Sequence, residues 1–262
     1  MATTLTQILE TTRAGLGALR ARTAELERAA LRAPPPPSLR RAFPRDRVAL
    51  VAEVKRRSPS AGAIREDLDP ADRAERYARH GAAAVSVLTD RPYFGGSIAD
   101  LEAVVERVAV PVLRKDFIVE EIQILEARAA GAAAVLLIVR ALPDQRLREL
   151  LRFTADAQLD ALVEVHTAAE LETALAAGAH IVGVNSRDLD TFRIDVAAAW
   201  SLLASVPADR VAVAESGMTT VADVERAAAA GADGVLIGTA LSAAADPAAQ
   251  VTAFAGARRR GR

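Results

Sequence analysis

The sequence contains no cysteine, which excludes disulfides and thiolate metal sites and leaves a reducing compartment open. No apolar run is long enough to span a bilayer; the longest, 129–139, is closed off by Arg128 and Arg140. Residues 1–30 lack the apolar core of a signal peptide. A net charge of -1 supplies no field for nucleic acid or an anionic membrane. The G-x-G-x-x-G fingerprint is absent, and no His, Asp and Glu set has metal-ligand spacing. These absences lead us to expect a soluble, cytoplasmic protein with neither a nucleic-acid nor a membrane partner.

What is present is ordinary globular composition. A chain of 262 residues, 51% hydrophobic, accommodates one large α/β domain or two small ones. Residues 5–32 read as one helix, with Leu5, Ile8, Leu9, Leu16, Leu19 and Leu26 near helical spacing and Gly15 and Gly17 weakening its middle. The prolines at 34–37 end it. Residues 1–44 are therefore expected to form a helical extension packed as a flap on the domain that follows. Arg13, Arg20, Arg22, Arg28 and Arg32 alternate there with Glu10, Glu25 and Glu27, as on a solvated helix face.

Beyond Pro44 the sequence repeats. Four segments end a helix at glycine and pass at once into a hydrophobic strand: ARHGAAAVSVL (Gly81), ARAAGAAAVLLIV (Gly131), ALAAGAHIVGVN (Gly178) and AAAAGADGVLIG (Gly231). Each glycine falls where a helix needs a left-handed terminating residue. The spacings of 50, 47 and 53 residues (131−81, 178−131, 231−178) suit two βα units each. Further strands are expected at 48–54, 111–114, 159–165 and 211–215. The helices are expected near 71–80, 97–108, 119–130, 144–156, 168–177, 196–204, 219–230 and 246–256. Eight units predict a single (β/α)8 TIM barrel over 45–256, with 257–262 a basic, disordered tail.

In such a barrel the site lies at the C-terminal ends of the strands. The first strand ends in Glu53 and Lys55, two apart and so on one side of an extended chain. Lys115 follows the third strand, Glu164 lies in the fifth, Asn185 and Arg187 end the sixth, and Glu215-Ser216-Gly217 end the seventh. A single ion pair at a strand end is common structure. Ionisable groups at the same end of alternate strands are hard to explain except as chemistry. Gly217, Gly238 and Thr239 follow the last two strands, where this fold holds phosphate, and Ser58 and Arg187 add a hydroxyl and a guanidinium. Phe94 and Phe117 are placed to flank an aromatic ring. His80, His166 and His180 read as structural, with His166 facing away from Glu164.

These residues resemble the indole-3-glycerol phosphate synthase family. The resemblance rests on AEVKRRSPSAGAIRED (52–67), YFGGS (93–97), LRKDF (113–117), LVEVH (162–166), GVNSRDL (183–189), AESG (214–217) and IGTAL (237–241), in the family's order. Ser186 stands where the family usually shows asparagine. The resemblance implies an enzyme converting 1-(2-carboxyphenylamino)-1-deoxyribulose 5-phosphate to indole-3-glycerol phosphate, carbon dioxide and water. It implies no metal, no cofactor and a monomer. By resemblance Lys115 is the acid for ring closure, Lys55 binds the substrate carboxylate, and Glu53 and Glu164 are candidate bases. Asn185, Glu215 and Ser216 would orient hydroxyls, with Phe94, Phe117, Leu136 and Leu189 around the aromatic ring. The alternatives are another phosphate-binding barrel, such as a sugar-phosphate isomerase, or a barrel that binds a phosphometabolite without turnover.

Overall fold

The structure, a computed structural model, describes residues 4–260. Its centre is a closed barrel of eight parallel strands: β1 (Ala49–Val54), β2 (Ala84–Leu88), β3 (Val112–Lys115), β4 (Ala134–Ile138), β5 (Asp160–Val165), β6 (Ile181–Asn185), β7 (Val211–Glu215) and β8 (Gly234–Ile237). Each strand pairs with the next, and β1 closes the ring against both β2 and β8. Helices cover the outside, so strands such as AVSVL and AVLLI are buried on both faces and read as continuous apolar runs. The four repeat glycines have φ of 104°, 80°, 93° and 100°, the left-handed turn from helix into strand. Helices Pro70–Arg79, Ile98–Arg107, Asp144–Asp156 and Ala168–Ala176 lie within a residue of their expected limits.

The extension differs from expectation in its break. It is two helices, α1 (Leu5–Arg20) and α2 (Thr23–Arg32), and the interruption is at Ala21-Arg22, where the Thr23 hydroxyl donates to the Arg20 carbonyl at 2.7 Å. Gly15 and Gly17 stay helical, with open space around them. Arg128, on the helix Glu121–Ala129, donates to the carbonyls of Ala33 and Pro34 at 2.7 and 3.0 Å, and Arg20 pairs with Glu120. The chain then runs beneath the barrel. Ser38 and the Arg40 amide bond Asp160 at the foot of β5, at 2.8 and 3.0 Å. Leu39 is buried, and the Phe43 ring lies 2.5 Å from where a side chain on Gly234 would begin. Residues 33–43 thus seal the face at the N-terminal ends of the strands.

The expected disordered tail is corrected over 257–260. The Val48 amide donates to the Ala257 carbonyl at 2.9 Å and the Arg259 amide to the Asp46 carbonyl at 3.2 Å. Ala257 is buried, and the Arg259 guanidinium pairs with buried Asp233. An arginine-rich end is held because a buried carboxylate and the backbone of residues 46–48, just ahead of β1, await it. Residues 261–262 lie outside the described residues. Among those described, no helix is long and apolar enough to cross a membrane.

Candidate active site

The C-terminal ends of the strands surround one cavity of about 430 Å³. All the site residues expected from the sequence line it, from the acid–base groups to Leu136 and Leu189. At its floor, Lys115 Nζ lies 3.5 Å from Glu215, 3.8 Å from Glu53 and 3.8 Å from Glu164. Lys55 Nζ lies 3.1 Å from the other oxygen of Glu53. Two ammoniums and three carboxylates therefore share a buried cluster, one negative charge in excess. Burial, and then repulsion from Glu164, push the Glu215 carboxyl up to about 8, and Lys115 offsets only part of this. Burial would also raise Glu53, but Lys55 and Lys115 outweigh it and hold that carboxyl below its ordinary value. Burial opposes charge on Lys115, yet the three carboxylates raise its pKa and keep the ammonium. With Glu215 protonated, the cluster is neutral.

The backbone beneath this cluster is fixed by groups the sequence reading did not single out. Buried Ser242 donates to the Glu53 carbonyl at 3.0 Å and accepts from the Lys55 amide at 3.1 Å, locking the end of β1. Arg114 points away from the cavity and bonds Thr89, Asp116, Glu126 and the Gln123 carbonyl at 2.7–3.1 Å, setting the direction in which Lys115 leaves β3. Two glycines provide room. A side chain on Gly183 would begin 2.0 Å from Glu215 Oε1, and one on Gly238 would begin 2.2 Å from Glu53 Oε1. Gly238 lines the expected phosphate region, but its lack of a side chain is also what lets Glu53 fit. Neither clearance is visible without neighbouring strands in register.

The cavity wall divides by strand. The loops after β7, β8 and β1 form a polar side, from Ser216, Gly217, Thr239, Ser58 and Ser60. Ser216 and Gly217 are both left-handed, with φ of 65° and 73°, a conformation that costs a serine about 1–2 kcal/mol and turns residues 215–219 along the cavity. Arg187 enters from β6. Its guanidinium donates to the Phe192 carbonyl at 3.1 Å, and among the described residues it has no carboxylate at ion-pair distance. Burial depresses its pKa, so the wall holds a cation that is short of solvent and of a counter-charge. An anion fits there. The loops after β2 and β3 supply Phe94 and Phe117, with ring centroids 6.1 Å apart and tilted by 40°. The Ser186 hydroxyl donates to the Glu215 carbonyl at 3.2 Å and does not reach the cavity.

One histidine is corrected. His166 follows Glu164 by two residues, so both side chains leave the strand on the same side. His166 Nε2 lies 3.5 Å from Glu164 Oε1, and its Nδ1 lies 3.3 Å from Glu170. Among the described residues, no group of three or more His, Asp or Glu side chains is arranged to hold a metal ion.

A closed (β/α)8 barrel whose strand ends gather lysines and buried carboxylates around one cavity has the layout of a barrel enzyme with acid–base groups at its site. The model of the family described as indole-3-glycerol phosphate synthase matches residues 5–254. The chain is 45% identical to a protein of that name from Desulfosudis oleivorans, covering 94% of this chain and 96% of that one. It is 50% identical to another from Leifsonia xyli subsp. xyli, covering 87% of each. The chain belongs to the indole-3-glycerol phosphate synthase family. A solved 3-hexulose-6-phosphate synthase, at 16% identity and a TM-score of 0.63 over 79% of this chain and 98% of that one, shares the fold.

Proposed function

We propose that this barrel closes the indole ring of 1-(2-carboxyphenylamino)-1-deoxyribulose 5-phosphate in tryptophan biosynthesis, releasing carbon dioxide and water as a carbon–carbon lyase. The observation that carries the reading is Lys115, a retained ammonium facing three carboxylates beneath the cavity. The substrate's aromatic ring lies between Phe94, Phe117, Leu136 and Leu189. Its phosphate lies at Ser58, Arg187, Gly217, Gly238 and Thr239. Lys55 receives the ring carboxylate, whose release as carbon dioxide restores aromaticity.

Lys115 gives its proton to the ketone oxygen as the ring carbon bonds to the former carbonyl carbon, so that a hydroxyl forms without a free alkoxide. Dehydration then protonates the departing hydroxyl and takes a proton from the adjacent ring methylene, so that the carbon–carbon double bond of the indole forms and the nitrogen keeps its hydrogen. Glu164 and Glu53 are the bases available, and Lys55 and Lys115 the acids. Asn185, Ser216 and protonated Glu215 orient the hydroxyls of the open sugar chain. The reading includes a monomeric, cytoplasmic enzyme working on this phosphorylated small molecule. The side chains alone provide the acids, bases and ammonium charge that the steps require, so the reading includes no metal or cofactor.

The test is turnover of the anilino-ribulose phosphate, followed by the anthranilate-to-indole absorbance change, in wild type and Lys115→Met. Methionine keeps the stem's volume and removes the ammonium. The expected result is kcat lowered by about 10²–10⁴ with substrate affinity retained. Normal turnover by a Lys115→Met protein that melts many degrees lower would reduce Lys115 to a structural ion pair.

A further inference from the structure

We propose that His166 is a positioning residue for Glu164, bridging that carboxylate to Glu170 and aiming one of its oxygens at the substrate. This deepens the reading of Glu164 as a base and rests on it. His166 and Glu164 side chains are 5% and 2% exposed, so neither has solvent to fall back on. Among the described residues, Glu164 Oε1 and His166 Nε2 have no hydrogen-bond partner, yet they face each other at 3.5 Å. The other ring nitrogen lies 3.3 Å from Glu170 Oε2, which also accepts the His166 amide at 2.7 Å. Glu170 is itself held by Arg140 at 3.2 Å, and Arg140 reaches Asp188 at 3.0 Å.

Both ring nitrogens thus meet a carboxylate, which accepts and does not donate. A neutral imidazole carries one N–H and leaves one carboxylate facing a lone pair; an imidazolium satisfies both. In that arrangement Nε2–H fixes Oε1 of Glu164. Its other oxygen is left on the side of Lys115, 3.8 Å away, where the substrate would sit. The groups facing the pair are Lys115 and Glu215 across the barrel floor and Glu170 and Arg140 behind the ring. The imidazolium thus holds one oxygen of Glu164 and leaves the other turned to the cavity.

The chain has three histidines, so ¹⁵N-histidine spectra assign His166 directly. In wild type we expect the His166 Nε2 resonance to show a hydrogen bond to a carboxylate, and that signature to be lost in Glu164→Gln. In kinetics we expect His166→Gln to lower kcat about tenfold with KM unchanged, the worth of one charge-assisted hydrogen bond. The acid limb of its kcat profile moves to higher pH. Inactive Glu164→Gln with a His166→Gln profile that superimposes on wild type would overturn the inference alone. Normal turnover by Glu164→Gln would remove Glu164 as the base, and the inference with it. An Nε2 resonance of His166 that is indifferent to Glu164→Gln overturns it even if the His166 variants do not fold.

Discussion

Glu215→Gln should make the protein more stable in the alkaline range and a poorer catalyst. The carboxyl rises from 4.5 to about 8 on folding because it is buried and lies beside Glu164. Each tenfold change in proton affinity is worth about 1.4 kcal/mol, so ionising Glu215 in the fold costs up to about 5 kcal/mol ((8 − 4.5) × 1.4). The sign follows from proton counts. Between pH 4.5 and about 8 the folded protein holds a proton that the unfolded chain has lost, so stability falls with pH across that window and is level above it. A glutamine is nearly isosteric, fits the space that Gly183 leaves, and never ionises. Part of the gain is returned because Lys115 loses its partner at 3.5 Å. The net expectation near pH 8 is about 1–3 kcal/mol, or a melting temperature higher by about 2–10 °C for a chain of this size. The difference should vanish below pH 4.5. Thermal melts of both proteins from pH 4 to about 9 test it. A variant less stable than wild type at pH 8, or an offset independent of pH, would refute the charge argument.

Three other outcomes follow from the geometry. Gly238→Ala should lower kcat more than it raises KM, because the new methyl begins 2.2 Å from Glu53 and displaces that carboxylate before it reaches any phosphate; a pure KM effect in steady-state kinetics would return Gly238 to phosphate binding alone. Arg187→Ala should raise KM about 10–100-fold, the loss of a charged hydrogen bond to the anion, with kcat and melting temperature nearly unchanged. Phe43→Ala should leave kcat and KM intact and destabilise the fold by about 2 kcal/mol, less than for a fully buried phenylalanine, as measured by urea unfolding.

Much of this molecule was legible in one dimension because its regularities are local. A glycine that ends a helix and a β-branched run that follows it are neighbours in sequence, so four repetitions at a spacing that suits two βα units each announce the barrel. Once the barrel is assumed, strand ends become neighbours in space, and Glu53, Lys115, Glu164 and Glu215 come together. What stayed hidden depends on contacts between strands or on elements too short for periodicity. The ribbon of Arg57–Ser58 with Gly62–Ala63 and the one-turn helix Arg91–Phe94 are of the second kind. Gly183, Ser242 and the Arg114 network are of the first. His166 was accessible, since a spacing of two from Glu164 places them on one side of a strand. The tail was misread because composition alone cannot show that Asp233 is waiting for a cation.

The lacing of Val48 to Ala257 and of Arg259 to Asp46 brings the two ends of the barrel within a hydrogen bond of each other. In the folded state the eight βα units are therefore a ring with one covalent gap. Joining residue 260 to 46 through a few glycines and opening the chain in an outer loop would be a circular permutation of the eight units that omits residues 1–45, the seal of 33–43 included. It would leave every cavity-lining loop uncut. The catalytic floor belongs to the ring, whereas α1 and α2 belong only to this particular opening of it.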